Sequence, residues 1–137
     1  MEELSFKEQL IYRFVLGERR VYQHWYSRFL TCGVDLERIR RVISRMKSFY
    51  GWCVEWSKEG EALENLAEDA LVKDNFYTAT RLFHEAAGCF HIAQHIYFID
   101  IERKNLAQER ARKNYRKAIG LYPQKRCRSD TKCGKSL

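Results

Sequence analysis

The chain has 137 residues, a length that suits one domain, and its 45% hydrophobic and 14% aromatic residues exclude a chain that is disordered throughout. Its net charge of +7 is uneven: residues 1–100 hold 13 basic and 15 acidic residues, residues 101–137 hold 12 and 3, so the basic character belongs to the C-terminal quarter. No apolar run reaches the ~18 residues a membrane span needs, and the mixed, acidic start "MEELSFKEQL" is not a signal peptide, so a cytoplasmic protein with no membrane partner is expected.

The periodicity is helical almost throughout, and the single proline, Pro123, leaves long stretches free to be helix. A first segment, Ser5–Leu16, carries Phe6, Leu10 and Phe14 at spacing four, with Gly17 to stop it. A second, Glu18–Cys32, repeats Val21, Trp25 and Phe29; Gly33 is placed as its C-terminal cap and Asp35 as the next N-cap. The third puts Leu36, Ile39, Ile43 and Met46 on one side and Arg38, Arg41 and Arg45 toward water.

The fourth segment, Ser48–Lys73, aligns Phe49, Trp52, Trp56, Leu63, Ala67 and Ala70. Gly60 shares that stripe, where a glycine costs helix propensity and earns its place by letting a neighbouring helix approach. Trp52 and Trp56 read as core anchors, with Glu55 and Glu59 as solvated carboxylates beside them. After a "KDN" turn, the fifth segment spans Phe76–Phe98, and the sixth, Glu102–Leu121, aligns Ala107, Ala111, Tyr115, Ala118 and Tyr122 before Pro123 ends it.

The fold class expected is all-α: an antiparallel bundle of five to six helices over residues 1–123, followed by a basic, polar, disordered tail at 124–137. Ala67, Ala70, Ala79, Ala86 and Ala87 flank the turn near Asn75, which resembles one tetratricopeptide-type hairpin. No second copy appears at the ~34-residue period of such arrays. The five cysteines are scattered: Cys32, Cys53 and Cys89 read as small core residues, while Cys127 and Cys133 in the tail are too few to define a metal site. Few aromatics are interleaved with the tail's charges, which argues against nucleic acid as a partner.

The fifth segment carries three of the four histidines, His84, His91 and His95. At 100° per residue they point within a sector of about 40°. His84 and His91 are nevertheless about 10 Å apart along the helix, too far for His84 and His95 to share one ion. No metal and no cofactor is expected; His91 and His95 are candidates for the rim of a substrate pocket. The segment has two apolar stripes. One is Phe83, Ala86, Ala87, Phe90, Ala93, Gln94 and Tyr97; the other is Leu82, Cys89, Ile92, Ile96 and Ile99. Two stripes mean either the central helix of the bundle or a second face that meets a partner, with Cys89, Ile92, Ile96 and Ile99 as the interface. No serine stands in a G-x-S-x-G elbow, and no phosphate loop or dinucleotide fingerprint is present.

The order "GVDLERIRRVISRMKSFYGWCVEWSKEGEALENLAEDAL", then "NFYTATRLFHEAAGCFHIAQHIYFID", then "RARKNYRKAIGLYP" resembles the N-terminal helical cap of a group of α/β hydrolases. That group includes 2,6-dihydroxypseudooxynicotine hydrolase, the fungal heptaketide-shortening pigment hydrolases and relatives of the FrsA esterase. The resemblance covers about residues 20–123 and is carried by Gly33-Val34-Asp35, Trp52 with Trp56, the alanine-rich hairpin, and Tyr115 with Ala118 before a proline. It implies a lid that packs on a separate α/β hydrolase domain, shapes the substrate pocket and often takes part in a homodimer contact. The serine-type triad for ester or C–C bond hydrolysis lies in that other domain, and no position here matches it. The alternative expectation is a tetratricopeptide-like adaptor that binds a peptide or protein.

Overall fold

The computed structural model describes residues 19–122. Within them the chain forms five α-helices and no strand: α1 (Arg19–Thr31), α2 (Leu36–Arg45), α3 (Trp52–Val72), α4 (Phe76–Gln94) and α5 (Ile101–Leu121), with a 3-10 turn at Phe49–Gly51 before α3. The fold is the all-α bundle expected. The Ser5–Leu16 segment and the tail with Cys127 and Cys133 lie outside the described residues.

The helix boundaries follow local chemistry. Gly33, at φ +84°, ends α1, a backbone geometry in which a Cβ is strained. The Asp35 carboxylate accepts the Arg38 N–H at 2.9 Å and starts α2. Between α3 and α4 the Asn75 N–H reaches the Ala70 carbonyl (2.9 Å) and the Asp74 N–H reaches that of Leu71 (3.0 Å), the two bonds of a Schellman stop, with Asp74 in the left-handed region at φ 56°. Asn75 then caps α4 by accepting the Thr78 N–H. Asp100 does the same for α5 with Arg103. Tyr122, forced out of helical geometry by the proline that follows, is extended.

One expectation is corrected here. The fifth segment does not continue to Phe98: α4 stops at Gln94, His95 is extended, and Ile96 takes φ 54°. No glycine marks the stop. The turn instead carries Tyr97 into the core, where it is buried and lies 6.1 Å from the Phe49 ring.

α3, α4 and α5 run antiparallel in sequence, and α4 packs on both of the others. All five hairpin alanines are buried, which allows close helix approach. Gly60 has the use expected of it: a Cβ there would meet the Phe90 ring at 2.8 Å. The Arg110 guanidinium covers that ring at 4.5 Å, so one stack ties α3, α4 and α5 together. α1 and α2 close the other side. Phe29 lies 5.8 Å from Trp52 and 5.5 Å from Trp56, and Val34, Ile39 and Val42 complete the cluster. The Trp52 indole N–H donates to the Ile92 carbonyl at 2.9 Å.

α5 is also laced to α3 by ion pairs: Arg110 to Glu61 and Glu64 (both 2.5 Å), Lys113 to Glu64, and Lys117 to Glu68. Truncating a fully buried aromatic costs about 3–5 kcal/mol, against about 0.2–1 kcal/mol for an exposed ion pair. The aromatic core therefore fixes the bundle, and the ladder sets the rotation of α5.

Candidate functional site

The three histidines expected on one side of a helix have separate surroundings, and His95 lies just past the end of α4. His84 lies over the α1–α2 turn: its ring atoms are 2.8 Å from where a Gly33 Cβ would be, and its ring centroid is 6.2 Å from that of Tyr115. His91 and His95 are together at the end of α4, ring centroids 6.1 Å apart and stacked. The His95 ring meets Trp25 of α1 edge-on at 5.5 Å, and Gln94 lies within 3.4 Å of His91 Nδ1. Burial, followed by the positive charges of His91, Arg28 and Lys104, holds the His95 pKa below the ordinary histidine value. Among the described residues no group of three or more His, Cys, Asp or Glu side chains is placed to hold a metal.

The four residues expected at a partner interface divide. Cys89 and Ile92 are fully buried within the chain, so the second stripe of α4 is not open to a partner at these positions. The reason is the α1–α2 turn. It is seated so closely on α4 that a Cβ on Gly88 would lie 2.4 Å from the Cys32 carbonyl oxygen. Ile96 and Ile99 are half-buried at the rim of the same core. α4 is the central helix of the described bundle. Burial drives the Cys89 thiol pKa far up, and burial raises that of Cys53 and Cys32 as well.

A second cluster was not legible in the sequence. Arg38, expected toward water, is half-buried and bridges two carboxylates, donating from Nη1 to Glu59 (2.5 Å) and from Nε to Glu85 (2.7 Å). Glu59, expected to be solvated, is buried and also takes a bond from Arg45 Nη2 at 2.8 Å. Burial pushes the Glu59 carboxyl up, but the hydrogen bonds from Arg45 and Arg38 outweigh it, and the pKa is lowered. Both Glu59 oxygens are taken by guanidinium donors and Arg38 bridges Glu59 to Glu85, so the cluster clamps α2 to α3 and α4. The available signal was angular: at 100° per residue Glu59 falls about 20° outside the arc of Trp52, Trp56 and Leu63, and an acid at the edge of a buried stripe calls for a cation.

Among the described residues large apolar side chains are exposed on α1, α3, α4 and α5, six of them on the last two. Tyr77, Tyr115, Ile119 and Tyr122 are all at least half exposed, with Arg112 and Arg116 exposed on α5 nearby. A shallow depression on α5 is lined by Glu109, Arg112, Lys113, Arg116 and Lys117. No helix among the described residues is long and apolar enough to cross a membrane. In comparisons with known proteins, no family model, no curated protein and no solved structure matches this chain.

Proposed function

We propose that this chain is a helical cap of an α/β hydrolase, a lid that shapes a substrate pocket and has no catalytic activity alone. The observation that carries this reading is that the residues behind the resemblance meet one another. The Gly33-Val34 turn seats on Gly88 of the alanine-rich hairpin, and Phe29 packs on Trp52 and Trp56. A diffuse set of sequence features thus serves one packing arrangement. The exposed Tyr77, Tyr115, Ile119 and Tyr122 supply apolar surface for a catalytic domain to cover. His91 and His95 would face the pocket rim.

Two measurements test it. The purified chain should give no turnover of an activated ester such as p-nitrophenyl acetate above buffer. The transcript downstream of codon 137 should encode a G-x-S-x-G strand–turn–helix unit. Turnover by the chain would sink the claim of an inert lid, and a transcript without such a unit would sink the cap reading.

One observation favours the adaptor reading instead. Cys89 and Ile92 are covered by the chain's own helices, so this part of the bundle needs no second domain to close it. An adaptor would use the exposed α4–α5 tyrosines to hold a peptide.

A further inference from the structure

Four cationic or potentially cationic groups come together from three helices at the end of α4: Arg28 of α1, His91 and His95, and Lys104 of α5. His91 stacks on His95, and His95 meets Trp25. Arg28 lies over the same Trp25 ring, its Cζ 4.8 Å from the centroid, and Lys104 Nζ lies 4.1 Å from the Phe98 centroid. Both cations are thus held by aromatic faces and not by carboxylates. Of the two carboxylates just before Lys104, Asp100, the N-cap of α5, accepts from the Arg103 backbone N–H and pairs with the Arg103 side chain at 3.1 Å, and Glu102 makes no ion pair among the described residues. Among the described residues neither Arg28 nor Lys104 has an ion pair.

We propose that Arg28, His91, His95 and Lys104 form a binding site for a small oxyanion, the carboxylate or phosphate-type group of a ligand. A cation resting on a ring face keeps N–H donors for another acceptor. Each neutral imidazole has one N–H to give, and each protonated one has two. His91, Arg28 and Lys104 all oppose protonation of His95, and an anion among them would relieve that repulsion. The groups are accessible: His91 and Arg28 are exposed, His95 and Lys104 half-buried. The site stands whether the chain is a lid or an adaptor, because it needs only the described bundle.

The test is a sulfate titration of the purified chain, followed by the histidine ring resonances, with sodium chloride holding ionic strength constant. It is run at about pH 5.5 and about pH 8, the lower pH set well under the ordinary histidine value because the His95 pKa is itself lowered. Sulfate stays a dianion over that range, so any pH dependence belongs to the protein. The expected result is a saturable shift of His91 and His95, tighter at the lower pH. Arg28→Gln and Lys104→Gln should each weaken binding about fivefold, the effect of one exposed charge pair. His95→Gln should flatten the pH dependence, which a merely structural contact would not do. A parallel acetate titration identifies the group: sulfate tighter than acetate means a phosphate-type ligand, the reverse a carboxylate. Shifts that never saturate would overturn the site. So would an unchanged affinity in the Arg28→Gln/Lys104→Gln double variant with its helical content intact.

Discussion

The carbonyl oxygen of Cys32 occupies the space that a side chain on Gly88 would need, with only 2.4 Å left for a Cβ. That oxygen is backbone, so it cannot swing aside. Gly88→Ala should therefore destabilise the chain by about 2 kcal/mol in urea unfolding, overpacking outweighing the gain in helix propensity. Gly120→Ala is the control. A Cβ there meets nothing within 4 Å, and the substitution should raise stability by about 0.5 kcal/mol. Equal effects at the two positions would contradict the close seat of the α1–α2 turn.

Arg38→Ala should be among the most damaging polar substitutions, costing about 3 kcal/mol near neutral pH, because it removes the one ion pair that buried Glu85 makes among the described residues and leaves Glu59 to Arg45 and Arg41. The pH profile gives an independent check. The Glu59 pKa is lowered by folding, so its contribution is fully present above the unfolded value and is lost as pH falls through the folded one. Wild-type stability should decline on acidification in that window. The Arg38→Ala deficit should shrink as Glu59, left with one cation fewer, protonates.

Two left-handed positions without glycine yield opposite-looking but related outcomes. Asp74→Gly should stabilise by about 0.5–1 kcal/mol, since the Schellman stop already demands that geometry. At Ile96, glycine should be tolerated better than alanine by about 1 kcal/mol, although both remove the same half-buried side chain. Thermal melts of the three variants decide it, and alanine equal to or better than glycine at Ile96 would count against the turn geometry.

The thiols should report the core directly. Native-state labelling with iodoacetamide, mapped by peptide mass, should leave Cys89 unmodified while Cys32, half-buried on the α1–α2 turn, reacts slowly. Rapid labelling of Cys89 before unfolding would mean that the turn does not cover α4.

Much of this architecture could be read from residue spacing. The Trp52–Trp56–Leu63 stripe, the cap at Gly33, the N-cap at Asp35 and the close approach at Gly60 each follow from a rule that acts within one or two helical turns. What could not be read depends on partners distant in sequence. Arg38 meets Glu85 across 47 positions, and nothing local distinguishes it from the exposed Arg40 and Arg41. The end of α4 was equally hidden, because Ile96 is held left-handed by the burial of Tyr97 and not by its own preference. The stacking of His91 on His95 follows from a spacing of four, but the pairing of His95 with Trp25 requires the packing of α1.

The turn at Asp74 and Asn75 ends one helix and starts the next with no spare residue. Short connections make the α3–α4 and α4–α5 hairpins local along the chain, whereas the Cys32–Gly88 seat joins segments more than fifty positions apart. Loop-closure entropy then orders the assembly: the α3–α4 hairpin has the means to form first, and α1–α2 docks onto it afterwards. In kinetic terms the seat belongs to the descent after the barrier. Gly88→Ala should accordingly speed unfolding while leaving the refolding rate nearly unchanged.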